Sequence, residues 1–251
     1  MRIATTSFLL LGLGAGAFRS DFESGDLRGW TTEIPTADAA QVVTDPVRAG
    51  HHALRIEWRA DWPKVNNGLR SEITRKNSGG AAHHPDRWFT FSLLLPNDWE
   101  VDPVSQDVVV QWHQTPDREL GEGWRSPPLA LCVLGDRFRF EALWDARRVT
   151  PPSGPQGKVV LDAGPIEPGR WVDWVVHIHW SNDEDGLLEV WRDGTRAVTR
   201  RGPLGFNDRQ ETFFKTGIYK YVATSAGTST VTRRVLYLDE VRWKKPKGLS
   251  P

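Results

Sequence analysis

The sequence predicts an all-β fold: a two-sheet antiparallel sandwich of the β-jelly roll kind, with a concave groove on one sheet. Three observations carry this. Apolar and polar residues alternate with period two in many short runs, the pattern of half-buried strands. Clusters of Gly, Pro, Asn and Asp separate the runs. No stretch shows a sustained helical period. The chain has 251 residues and no composition break, so one domain is expected over residues 18–251.

Residues 1–17 stand apart. Arg2, an apolar run at 8–17 and the ending Ala15-Gly16-Ala17 give the charged start, apolar middle and small-residue cleavage pattern of an export signal. The run is too short to span a membrane. The mature chain is expected to begin near Phe18, as a secreted or periplasmic protein.

The strands follow in order. Residues 21–30 read as a first edge strand leading into a turn. Residues 41–43 and 53–58 are short strands; in the second, Leu54, Ile56 and Trp58 alternate with Arg55 and Glu57. At 68–73, Arg70 and Glu72 share one face, with Leu69, Ser71 and Ile73 on the other. Residues 77–85 form a loop whose His83-His84, like His51-His52, read as solvated. A strand at 87–95 is stopped by Pro96. At 108–113, Val109, Gln111 and His113 alternate with Val108, Val110 and Trp112.

An irregular loop covers 119–127, and 129–143 form a hairpin turning at Gly135-Asp136. Residues 151–157 are a further loop. On the strand at 171–180, His177 and His179 share a face. No third metal ligand is evident nearby, so they read as a hydrogen-bonded structural pair. An acidic turn at 181–186 precedes the strand at 187–191. The last strands are 213–221 and 234–243. On the former, Phe214, Thr216 and Ile218 oppose Lys215, Gly217, Tyr219 and Tyr221. Gly217 leaves room for close approach to the backbone.

Acidic and basic residues balance at 32 each, which disfavours a nucleic-acid partner. No membrane partner is expected, and a monomer is. The single Cys132 forms no internal disulfide. Thirteen tryptophans suit the space between two sheets, leaving a few to stack on sugar rings.

Three strands therefore each set polar groups on one side and apolar groups on the other. Glycoside hydrolysis needs two carboxylates flanking the bond. Only Glu72 stands among these groups, and it is better placed to pair with a neighbouring cation. No G-x-S-x-G nucleophile motif is present. β-Elimination of a uronate polymer fits instead. Arg70, Gln111 and His113 suit the charge that builds on the uronate carboxylate as the C5 proton leaves. Tyr219 can act as acid, base or both, with Lys215 lowering its pKa and His113 as the other candidate base. Glu72 and Tyr221 complete the face as substrate-binding residues.

These residues also carry a resemblance. Arg70-Ser71-Glu72-Ile73, Gln111-Trp112-His113 and Phe213 to Tyr219 resemble the three motifs of the jelly-roll polysaccharide lyases. That group includes glucuronan lyases, heparin lyase I and the related alginate lyases. Trp112 and Phe213 depart from the alginate pattern, and residues 181–194 are similar to the glucuronan and heparin-lyase branch. The resemblance implies a polysaccharide lyase that leaves unsaturated uronate ends. It implies His113 and Tyr219 as the catalytic pair, Arg70 and Gln111 as carboxylate neutralisers, and Lys215 as a substrate or base-tuning cation. By the same resemblance Asn207 and Asp208 stand where heparin lyase I binds calcium, with oxygen donors that suit Ca²⁺. No cofactor is required for the chemistry itself. The large insertion of heparin lyase I after its Q-x-H strand is absent, which points to a glucuronan-like substrate. The alternative is a non-catalytic carbohydrate-binding sandwich.

Overall fold

The computed structural model describes residues 18–80, 86–221 and 228–244, with side chains given for all but 76–80 and 244. The export signal expected at 1–17 and the pair His83-His84 lie outside the described residues. Sixteen strands form two sheets of eight, antiparallel throughout except for one short parallel pairing, Gly205–Phe206 beside Trp144–Asp145. The back sheet runs β13 (Thr195–Arg201), β12 (Leu187–Arg192), β11 (Trp171–His179), β6 (Asp86–Leu94), β16 (Arg233–Lys244), β4 (Ala53–Arg59) and β3 (Ala40–Val43), with β1 (Phe18–Ser20) on β16. The front sheet runs β10 (Gly157–Pro165), β9 (Arg137–Asp145), β8 (Leu129–Gly135), β7 (Asp102–Gln114), β15 (Thr212–Tyr221), β5 (Leu69–Gly80) and β2 (Thr31–Glu33), with β14 (Gly205–Phe206) on β9. Two one-turn 3₁₀ helices, Ala37–Ala39 and Arg118–Leu120, are the only helical segments among the described residues. No helix there is long and apolar enough to cross a membrane.

The core lies between the sheets and is built by the alternation. Phe89 and Phe91 of β6 meet Trp112 of β7 and Phe214 of β15, with Phe89 stacked on Phe214 at 5.6 Å between ring centres. Trp112 stands edge-on to both Phe89 and Phe214. Burying four such rings fixes how the front sheet's central strands sit over the back sheet.

Several element boundaries differ from the sequence expectation. The first strand is Phe18–Ser20; residues 21–30 are turn, because Asp21, Ser24, Gly25, Asp26 and Gly29 favour turn geometry over pairing. Strands β2, β10 and β13 were not expected. In β10 the inward residues Val159 and Leu161 are only partly buried, as befits a sheet edge, so the alternation is weak.

The larger difference is on β7. Val109 was expected on the polar face with Gln111 and His113. It is instead fully buried in the main core beside Val110, and Val108 faces the groove against Tyr219. A β-bulge causes this. The register between β7 and β8 slips between Val108 and Val110, and that between β7 and β15 slips between Thr216 and Tyr219. The Thr216 hydroxyl donates to the Val109 carbonyl at 3.0 Å.

Gly217 sits at this bulge with φ of 139°, a conformation that L side chains rarely adopt. A Cβ there would collide with the Ser71 carbonyl oxygen and lie 2.8 Å from Glu72 Cα. The close approach is thus by the neighbouring strand β5 rather than by a ligand. Gly217→Ala is expected to destabilise the fold by about 1–3 kcal/mol, from backbone strain and the clash together. A denaturant midpoint equal to wild type would show that the bulge can shift to absorb a methyl group.

Candidate active site

Strands β5, β15 and β7 are neighbours at the centre of the front sheet, and register brings their polar residues together. Tyr219 pairs with Arg70, Gly217 with Glu72, Lys215 with Gln111, and Phe213 with His113. All the residues expected from the three motifs therefore share one groove face. Tyr221 lies at its end, half-exposed, with its carbonyl accepting from Ser105 Oγ.

The base of the face is a cluster of opposed charges. Glu72 is buried, with 1% of its surface exposed. Its carboxylate accepts from Gln111 Nε2 at 2.5 Å, Lys215 Nζ at 2.9 Å and Arg70 Nη1 at 3.2 Å. Glu33, on β2 directly opposite Glu72, accepts from Lys215 Nζ at 3.0 Å and Arg70 Nη1 at 3.2 Å. Burial, the largest influence, works to raise the Glu33 pKa, but Lys215, Asn66 and Arg70 together outweigh it and the net shift is downward. Two like charges on facing positions repel. Here Lys215 and Arg70 bridge them, so each carboxylate finds the same two cations. Sequence reasoning missed Glu33, because the three-residue β2 gives no periodic signal and its partner is 39 positions away in Glu72.

Lys215 is therefore held by carboxylates, and the cation beside Tyr219 is Arg70. Its guanidinium carbon lies 4.5 Å from the Tyr219 ring centre. Gly68 makes this possible: a Cβ there would lie 2.6 Å from Arg70 Nη2 and 2.8 Å from Tyr219 Cε2. Arg70 Nε has no hydrogen-bond partner. One edge of the guanidinium is thus anchored to Glu33 and Glu72 through Nη1, while the Nε group keeps an unused donor.

His113 projects beside this cluster. Its ring stacks on Phe213 at 5.4 Å and meets Trp124 edge-on at 5.4 Å. Nδ1 lies 2.9 Å from the Gln114 carbonyl oxygen. A carbonyl only accepts, so Nδ1 carries the hydrogen and Nε2 keeps its lone pair. Burial lowers the His113 pKa to about 4; the Gln114 hydrogen bond opposes this, and the charges of Lys215, Arg70 and Arg125 add to it. The imidazole is accordingly neutral at pH 7, with a free acceptor nitrogen.

Trp124 and Arg125 come from the 119–127 loop and were not singled out by the sequence. Trp124 is the one strongly exposed tryptophan among the described residues, at 59%. Arg125 turns inward, to Asp208 Oδ2 at 2.5 Å and Glu122 Oε2 at 3.1 Å, with its guanidinium over the Phe206 ring at 4.1 Å. It pins the loop that carries Trp124 over His113.

Asn207 and Asp208, the residues expected for calcium, do not form a cation cradle. Asn207 Nδ2 donates to the Ala146 carbonyl at 3.0 Å, and the Asp208 carboxylate faces Arg125. Burial raises the Asp208 pKa to about 7, against Arg125 and with help from Glu122. The Arg125 guanidinium takes the side of the Asp208 carboxylate that a cation would need. No group of three or more His, Cys, Asp or Glu suited to a metal occurs among the described residues. His177 and His179 instead bond to Asp86, His177 also to Glu189.

Removing the shared acceptor tests the charge cluster. Glu72→Ala is expected to cost about 3–5 kcal/mol of stability, since Lys215 keeps only Glu33 and Gln111 loses its partner. A loss below about 1 kcal/mol in urea unfolding would mean that Glu33 alone balances both cations.

The fold has counterparts among solved structures. The fold matches a crystal structure of endo-β-1,4-glucuronan lyase from the fungus Trichoderma reesei, with a TM-score of 0.74 and 21% identity over 91% of this chain and 94% of that one. It also matches an alginate lyase, AlgAT5, of polysaccharide lyase family 7, with a TM-score of 0.53 and 16% identity over 87% and 95%. An alginate lyase from Aplysia kurodai matches with a TM-score of 0.56 and 11% identity over 83% and 88%. No curated protein sequence matches the chain. A family model described as polysaccharide lyase matches residues 22–242, nearly the whole described domain and all three polar strands, and the chain thus belongs to the polysaccharide lyase family.

Proposed function

We propose that this lyase cleaves a glucuronan-like uronate polymer by β-elimination, with His113 as base and Tyr219 as acid. One observation carries the reading: a neutral imidazole with a free Nε2 stands on the same groove face as a tyrosine hydroxyl and a carboxylate-binding cation. The uronate carboxylate is met by the partly exposed Arg70 guanidinium and by the second amide hydrogen of Gln111. Their positive field stabilises the charge that spreads onto that carboxylate as the C5–H bond breaks. His113 Nε2 takes the C5 proton. The bonding pair becomes the C4–C5 double bond, the C4–O4 bond breaks, and the Tyr219 hydroxyl protonates the leaving O4. Proton exchange with water then returns His113 to its neutral form and Tyr219 to its phenol.

Lys215 acts in this scheme as a positioning residue. It neutralises Glu33 and Glu72, so that the groove presents Arg70 rather than two carboxylates to an anionic substrate. Tyr221 and Trp124 flank the face, where a sugar ring can lie against an aromatic side chain. Export fits a polymeric substrate, with cleavage of residues 1–17 leaving a mature chain that acts as a monomer. No calcium enters the chemistry.

The test is absorbance of the new C4–C5 double bond on glucuronan, alginate, heparin, heparan sulfate and pectate. Glucuronan is expected to give the fastest rise, and Tyr219→Phe to lower kcat by about 10²–10⁴-fold. Tyr219→Phe with wild-type kcat would remove Tyr219 from the chemistry. Binding of a polymer without any rise would favour the carbohydrate-binding sandwich.

The pH profile gives a second test. A base whose pKa is held near 4 stays unprotonated as pH falls through the ordinary histidine range. The acid limb of kcat/KM, which reports the free enzyme, is expected well below pH 6. A limb at about pH 6.5 would indicate a solvated base in place of His113.

A further inference from the structure

The front sheet continues past the catalytic strands, and one of its cations is unaccounted for. Register places Arg70, Tyr219, Val108, Cys132 and Arg139 in a single row across β5, β15, β7, β8 and β9. Directly opposed residues in antiparallel strands point to the same face. Arg139 therefore stands on the groove side, and its neighbours Phe138 and Phe140 point into the core. Val108 and Cys132 between the ends of the row are small and buried. The row thus presents half-buried Arg70 and Tyr219 at one end and half-buried Arg139 at the other.

The surrounding charges leave Arg139 over. Glu141, two residues along the same strand, is taken by Lys158 Nζ at 2.8 Å. Asp162, opposite Arg139 on β10, is held by Arg137 through both carboxylate oxygens, with Arg137 Nε at 2.5 Å. Each carboxylate near Arg139 already has a cation. Among the described residues Arg139 itself has no hydrogen-bonding or ion-pair partner; its charge reaches the Asp162 carboxylate opposite only through space. A guanidinium in a groove, with its planar fork unengaged, is a carboxylate receptor.

We infer that Arg139 forms a distal subsite that binds the carboxylate of a second uronate residue along the same polymer chain. The inference rests on the uronate reading of the site. Three strand spacings separate Tyr219 from Arg139, about 14 Å. That is longer than one sugar ring, so Arg139 meets a residue other than the one being cleaved. Its role is binding, and it touches no reacting atom.

The test compares wild type, Arg139→Ala and Arg139→Lys on long-chain glucuronan and on the shortest glucuronan oligosaccharide that wild type cleaves. Arg139→Ala is expected to raise KM for the polymer about tenfold, the effect of losing one charge-assisted hydrogen bond. Its kcat stays within about twofold of wild type, since no transition-state contact is lost. KM for the short oligosaccharide stays unchanged, and Arg139→Lys recovers part of the polymer affinity. An unchanged polymer KM overturns the subsite while leaving the lyase reading intact. So does an equal rise on both substrates, which would report a general distortion of the groove. If wild type cleaves no uronate polymer, the lyase reading fails, and calorimetric binding of glucuronan by the same variants decides the subsite. A tenfold weaker affinity for Arg139→Ala supports it, and equal affinities or no binding by wild type overturn it.

Discussion

Two carboxylates facing each other across adjacent strands set the terms for this site. Glu33 and Glu72 pair directly between β2 and β5. Left alone they would repel and one would protonate. Lys215 from β15 and Arg70 from β5 bridge both, and Gln111 from β7 caps the more buried one. Four strands are tied at one point by groups that lose their partners if any strand shifts. A buried ion cluster of this kind is not itself a large source of stability, because desolvation offsets the attraction. What it does fix is orientation: Arg70 is held by Nη1 and lies over Tyr219.

The bulge between β7 and β15 works on the same geometry from the apolar side. By turning Val109 into the core it brings Val108 onto the groove face beneath Tyr219, while Gln111 and His113 keep their places. Gly217 lets β15 and β5 approach closely at the same level. The groove floor is thus a seam of small or buried groups, with the cations of Lys215 and Arg70 on one side and His113 on the other. Burial first, and that field second, keep the imidazole neutral. Burial disfavours its charged form, and three nearby cations disfavour it further. The same cations suit an anionic polymer, so one electrostatic arrangement supports both substrate binding and a deprotonated base.

Much of this was legible in the residues alone. The all-β class follows from period-two patterning, which local sequence reports directly. Arg70, Glu72, Gln111, His113, Lys215 and Tyr219 could be assigned to one face each, because alternation along a strand is a local property. The placement failed only at Val108 and Val109, where a bulge resets the count, and a bulge depends on pairing with a strand 107 residues away.

What the tertiary structure decided was which groups meet. Glu33 lies on a strand too short to show a pattern, and Arg125 and Trp124 lie in a loop without periodicity. The sequence suggested Lys215 as the cation beside Tyr219; register puts Arg70 there and gives Lys215 to the carboxylates. The Asn207-Asp208 pair offered oxygen donors, yet Arg125 arrives from 83 positions away to occupy one of them. The sequence by itself determined which face of each strand is polar, since side-chain alternation is set within a few residues. Only the fold decided which charge each polar group answers, because ion pairing depends on strand order and register, and those are fixed by long-range packing.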